Sequence, residues 1–401
     1  MKSNTLYRDI MKALVSFVCA ALILVNGLGL GSMVFASAAG SPLFDANELF
    51  TDRDLAQTAD LSEAETIAVS DGQDVSITSA GVYLLTGTAK NATIYVEAGV
   101  EDKVQLVLDS LTIENDSLPC VYVRSADKVF ITTSADSSLS ITGSVQQEDG
   151  SKLDGVIFSR CDLTLSGTAT LTIASTANGV VGKDDLKITG GTYVITAASK
   201  AIEANDSIRV AGGTLILTAG TDGLHAENSD DDTLGYIYIG GGQISVTAGD
   251  DGIHANAAVQ IDDGSVSVNA AEGIESTYIQ INGGDVTIQG RDDGINAANK
   301  SSAYRATIEI TGGSVTVTMA SGDTDGIDSN GDIYISGGTV NVTGSSTFDY
   351  DGTAQYTGGT IIVNGQQVNG IPNQMMGGMG GMRGMTGGSM GGMTGMGGRK
   401  K

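Results

Sequence analysis

Acid–glycine pairs recur along the second half of the chain, at Asp222-Gly, Asp251-Gly, Glu272-Gly, Asp293-Gly, Asp325-Gly and Asp351-Gly. Three residues beyond the first five stands a second polar side chain: His225, His254, Glu275, Asn296 and Asp328. Asp250 and Asp292 add an acid just before their pair, and Asp323 lies close to Asp325. A single Asp-Gly is an ordinary turn signal, its carboxylate bonding nearby backbone. A set held at one place in a repeat is different. Stacked strands would bring equivalent carboxylates to about 4.8 Å, where they repel unless neutralised. Cations are scarce there, with no lysine between Lys200 and Lys300. Hard oxygens gathered from several chain segments suit Ca²⁺, which takes roughly six to eight of them.

The expected calcium ligands are therefore Asp222, Asp250 and Asp251 in one group. Asp292, Asp293 and Asn296 form a second, with Glu275 below and Asp325 and Asp328 above. His225 and His254 share a column, but two histidines without cysteine point only weakly to zinc. They are expected as exposed polar residues on the ligand-binding face. Arg291, Lys300 and Arg305 are the cations nearest the Asp292 group, and Tyr238, Tyr304 and Tyr334, with Tyr236, are candidates to stack on sugar rings.

What must position these residues is a repeat. Gly-Gly, once Asp-Gly, recurs at 190, 212, 241, 263, 283, 312, 337 and 358. An alternating strand-like segment follows each one, such as Ile244/Val246 or Val315/Val317, and a second precedes most of them, such as Ile237/Ile239. The acid–glycine segment supplies a third short strand. Three such strands cannot bury an apolar face alone, but they can if successive coils stack and each strand pairs with its equivalent in the next coil. The reading is all-β: a right-handed, single-stranded parallel β-helix with about three short strands per coil. Two longer intervals place insertions at Asn228–Gly235 and Ala298–Tyr304, on the same edge beside the acidic column.

The ends differ from this middle. Lys2, Arg8 and Lys12, the apolar run from Ala13 to Leu30 and Ala36-Ser-Ala38 read as a signal peptide over residues 1–38. Residues 39–65 are a linker or N-terminal cap, 66–370 the β-helix, and 371–401 a disordered tail. Eight of the twelve methionines lie in that tail, whose Met376, Met379, Met382 and Met385 spacing also suits a soft metal. Cys120 and Cys161 are expected as free thiols. The net charge of −26 excludes nucleic-acid binding by phosphate neutralisation. It leaves polyanions accessible only through a bridging cation.

These segments resemble exported bacterial parallel β-helix proteins that bind carbohydrate, the polygalacturonate- and cellulose-binding adhesins related in fold to pectate lyases. The matching residues are Gly182-Lys-Asp-Asp-Leu-Lys-Ile-Thr-Gly-Gly191, Gly235-Tyr-Ile-Tyr-Ile-Gly-Gly241, the run from Asp325 to Gly338, Asp349-Tyr-Asp-Gly352 and Val104 to Ile113. The resemblance implies calcium sites on the helix. Asp250-Asp-Gly-Ile-His254 and Asp292-Asp-Gly-Ile-Asn296 also resemble the Asp-Asp-Gly-x-Asp calcium turn of one β-helix lyase family, from which they depart at the last position.

The function expected is a secreted or cell-surface, calcium-dependent, adhesin-like protein, monomeric and without a membrane span once the signal is removed. Its partner is an acidic plant cell-wall polysaccharide, pectin or polygalacturonate, with cellulose as a weaker partner because the chain has no Trp to build a flat aromatic strip. Two alternatives stay open. A calcium-dependent pectate lyase acting by β-elimination needs a Lys or Arg base beside the metal. A purely structural surface protein would use calcium only to stiffen its coils.

Overall fold

In a computed structural model, which describes residues 41–148, 151–322 and 324–373, strands run from Glu65 to Val368 and form three long, almost wholly parallel sheets of 13, 13 and 12 strands. The signal-peptide reading, Asp323 and all but the first three residues of the 371–401 tail lie outside the described residues. A representative coil runs along Tyr236–Ile239 in sheet 1, turns, follows Gln243–Ala248 in sheet 2, bends again and follows Asp251–Ala255 in sheet 3. Ala258–Ile261 then opens the next coil against Tyr236–Ile239. This is the parallel β-helix expected from the repeat, with three strands to a coil.

The alternating pattern produces the fold because every second residue points into one continuous core. Ile195, Leu217, Val246, Val268, Ile288, Val317 and Val342 occupy one position on successive sheet 2 strands, all in direct register. None is more than 2% exposed. Each buried aliphatic side chain contributes roughly 1.5–3 kcal/mol against solvent exposure, and the register multiplies that gain along the stack.

Two glycine positions per coil make the geometry possible. At the corner from sheet 1 to sheet 2, the second glycine of each pair adopts positive φ, as in Gly242 (96°) and Gly264 (102°), a conformation that side chains resist. The glycine of each acid–glycine pair serves another purpose. A Cβ on Gly252 would stand 2.1 Å from Val268 Cγ1 and 2.7 Å from the carbonyl of Gly273. Gly223, Gly252, Gly294 and Gly326 face a sheet 2 valine in this way and Gly273 faces Ile288, and no turn conformation requires these glycines.

The final strand, Gln366–Val368, folds back antiparallel on Thr360–Val363 and closes that edge of sheet 2. At the other end, residues 41–57 lie along the outward face of sheet 1. Cys120 and Cys161 are both free, Cys120 fully buried with its thiol pushed up to about 12 by desolvation. Among the described residues no helix is long and apolar enough to cross a membrane.

Candidate functional site

The acid–glycine pairs fall at the corner where sheet 2 gives way to sheet 3, and stacking sets them in register. Asp251 faces Glu272 and His254 faces Glu275 across one pair of coils. Glu275 then faces Asn296, Asp293 faces Asp325, and Asn296 faces Asp328. The last coil departs from the expected pattern. Asp325 is opposite Ser346, and Asp328 is opposite Asp349. Asp351 therefore does not extend the acid–glycine column, because the strand Ser346–Tyr350 arrives with its own register fixed by Phe348 beneath Ile327.

The columns divide into two electrostatically different groups. The lower one lines a groove of about 470 Å³ with Asp222, His225, Asp250, Asp251, His254, Glu272, Glu275 and Lys300 among its walls. Here three acids, Asp222, Asp251 and Glu275, already have cationic partners, whereas Glu272 has a hydrogen bond from Asn296 and is pushed up to about 7 by burial and by Glu275, Asp251 and Asp293. His254 Nδ1 lies 2.7 Å from Asp251 Oδ2 and 3.0 Å from Glu275 Oε2. Lys300 Nζ lies 2.8 Å from Glu275 Oε1, and His225 Nδ1 lies 2.9 Å from Asp222 Oδ2. Burial works to neutralise His254, but hydrogen bonds and charge from Asp251 and Glu275 outweigh it and raise the imidazole to about 9. Burial likewise opposes ionisation of Glu275, yet His254 and Lys300 hold it below its usual range. Asp251, His254 and Glu275 each offer a ligand atom within 4.8 Å of the others. In this arrangement a proton on His254 fills the place a metal would take.

His225 and His254 correct an expectation. They are not exposed: His225 is 7% exposed, His254 is half-buried, and the two rings stack at 4.6 Å with 12° between their planes.

Among the described residues the upper group has no such cation. Asp293 is pushed up to about 6 by burial and by Asp292, Asp325 and Glu275, despite a backbone hydrogen bond from Asp325. Asp328 is pushed up to about 7 by burial and by Asp293, Asp325, Asp349 and Asp351. Asn296 donates through Nδ2 to Glu272 Oε2 at 3.0 Å. Its Oδ1, like Asp325 Oδ1, is buried and accepts no hydrogen bond from any described residue. Buried oxygens without a donor, among carboxylates reluctant to ionise together, are what a hard divalent cation would satisfy. Asp292 stands exposed at the rim of this group, as Asp250 does at the rim of the lower one.

The two inserted loops meet each other. Ser301 Oγ donates to the Asp232 carbonyl at 2.6 Å, and Ser302 bonds the Asp232 carboxylate. This contact holds the second loop over the groove, which is how Lys300 reaches Glu275. The other expected ligand-binding residues are placed elsewhere. Arg291 donates to the carbonyls of Ala248 and Gly249, at 3.1 and 2.9 Å. Arg305 forks onto Asp332 with its Nε 2.8 Å from the carboxylate. Tyr238 is 2% exposed and bonds Asp262 at 2.9 Å, and Tyr236 is 8% exposed beneath Phe44. Neither ring is open to a sugar, because residues 41–57 cover them. Tyr304 packs edge-on to Tyr278, and Tyr334 is half-buried on sheet 1.

Fold and site together define a class: a parallel β-helix that displays ranked carboxylates along one corner and frames them with loops. The family model for carbohydrate-binding domain-containing proteins matches residues 71–320 and 273–369. The chain belongs to that family. A protein of Acetivibrio thermocellus carrying the same description is 36% identical over 130 residues, 31% of this chain and 46% of that one. The chain thus spans about half the length of that curated relative. A solved structure described as a polysaccharide lyase-like protein from C. thermocellum, a gadolinium derivative, is 29% identical, with a TM-score of 0.48 over 61% of this chain and 96% of that one.

Proposed function

We propose that this protein is exported and holds an acidic cell-wall polysaccharide, of the polygalacturonate type, through calcium bound at the upper carboxylate group. Asp293, Asn296, Asp325 and Asp328 would hold the ion, with Asp292 and Asp349 beside them. The observation that carries this reading is the contrast between the two groups: His254 and Lys300 pair with Asp251 and Glu275 in the lower one, while the upper carboxylates face one another in register with buried oxygens unsatisfied. Calcium would supply the positive charge that lets a protein of net charge −26 approach a polymer that is itself a polyanion. Export rests on the basic and apolar N-terminal sequence.

Holding is favoured over cutting by the state of Lys300. A general base must be able to take up a proton. Glu275 outweighs burial and raises Lys300 above its ordinary range, so at neutral pH it is already protonated. The test is retention on immobilised polygalacturonate in calcium and in chelator, with absorbance of unsaturated products followed in parallel. Calcium-dependent retention without product is expected. Equal retention in chelator would overturn the bridge, and product formation would establish the lyase. Calcium-dependent melting without retention would leave a purely structural role.

A further inference from the structure

Residues 41–57 cross sheet 1 against the direction in which the coils stack. Leu43 N donates to Gln280 Oε1 at 3.0 Å, and Phe44 N donates to Gln260 Oε1 at 2.7 Å. The two glutamines answer through Nε2, to the Ser41 carbonyl at 2.8 Å and the Phe44 carbonyl at 3.2 Å. One coil further back the Phe44 ring stacks on Tyr236 at 4.3 Å and 24°. Further still, Asp54 is fully buried, with Oδ1 2.6 Å from Lys128 Nζ, Oδ2 3.1 Å from Lys187 Nζ, and the Thr164 hydroxyl donating at 2.8 Å.

A segment whose only task was to seal the sheet would meet an apolar face. This face has one apolar patch, where Leu43 and Phe44 pack on Tyr236, Ala258 and Tyr278, and is otherwise built of lysines, an arginine and glutamines; it holds the segment by side chains, with no strand added to the sheet. The segment is anchored mainly by polar contacts and adds little apolar burial. It contains two four-residue helices, and its buried side chains are Leu49 and Asp54. Paired amides, an aromatic face and two cations sharing one carboxylate, ranked along stacked coils, are what recognises a chain of sugar rings bearing carboxylates.

We propose that the sheet 1 face beneath residues 41–57 is a second binding groove, for a uronate-containing oligosaccharide, and that this segment occupies it as an internal ligand with Asp54 in the place of a uronate carboxylate. The groove needs no metal. Asp185 already holds Arg209 through two contacts of 2.7 Å, so displacing Asp54 leaves Lys128 and Lys187 with Asp162 nearby as their remaining counter-charge. Burial and the neighbouring cations already press Lys187 toward neutrality, even with Asp54 present. Removing Asp54 takes away the carboxylate that touches both lysines, which leaves the pair open to another anion.

The test is calorimetric titration of the full chain with a short oligogalacturonate in chelator, so that failure of the calcium reading leaves it unaffected. Since apparent affinity scales with the fraction of open groove, Phe44→Ala/Asp54→Ala should bind at least about tenfold tighter than wild type. Adding Lys128→Gln and Lys187→Gln should abolish that gain. Native strand content by circular dichroism and new protease cleavage within 41–57 would show that the coils are intact and the segment is released. No gain with the segment released, a gain indifferent to the lysines, or a segment that stays docked would each overturn the proposal. Should the variants fail to fold, hydrogen exchange of 41–57 in the wild type decides: saturating ligand should speed it, and unchanged exchange contradicts the proposal.

Discussion

The imidazole of His254 stands 3.0 Å from the carboxylate of Glu275, its register partner one coil along, and 2.7 Å from Asp251 within its own coil. One half-buried imidazole thus ties two coils together at the corner where carboxylates accumulate.

The first prediction concerns alkaline pH. The folded-state value of His254 is raised to about 9 from 6.5, so its contribution to stability is fully present below about 6.5 and is lost as pH rises through about 9. The loss is on the order of 3 kcal/mol. Urea unfolding in chelator should show wild type losing more stability between pH 7 and pH 10 than His254→Gln. Equal losses would show that the imidazole is not held charged by its neighbours.

The upper group should behave in a complementary way near neutrality. Asp293 and Asp328 are raised to about 6 and 7, so without metal their contribution is present below their unfolded values and lost as pH rises through that range. In chelator, melting temperature should fall between pH 5 and pH 8. Calcium should restore it at pH 8 and do little at pH 5. Asp328→Asn should be more stable than wild type in chelator at pH 8 and should respond less to calcium.

A core prediction tests why glycine follows the acid. Gly252→Ala places a Cβ 2.1 Å from Val268 Cγ1 and 2.7 Å from the Gly273 carbonyl, so the coils must part. A loss of about 1–3 kcal/mol is expected from such overpacking, read by denaturant unfolding. A neutral outcome would mean that the glycine serves some other purpose.

The repeat was legible in the sequence because its signals are local. Period-two alternation and Gly-Gly corners recur with Ile237, Val259 and Ile279, and register follows once one face must be buried. The acidic column was legible for the same reason, up to Ser346, where a serine takes the acid's register position. The division of that column into a neutralised and an unneutralised half was not. It depends on Lys300 reaching Glu275 from a loop fixed by Asp232, a contact between two insertions that share no motif. The burial of Tyr236 and Tyr238 was illegible because residues 41–57 carry no periodicity, and their docking rests on scattered anchors such as Phe44 and Asp54. Local pattern reports which strands form. It does not report which distant segment lies over them.

Calorimetric titration of calcium into the chelator-stripped protein at pH 7.5, wild type beside Asp293→Asn/Asp328→Asn and His254→Gln, bears most directly on the central claim. With calcium at the upper group, saturable binding is expected in wild type and in His254→Gln, and its loss in the double variant. Undiminished binding in the double variant, or none in wild type, would contradict it.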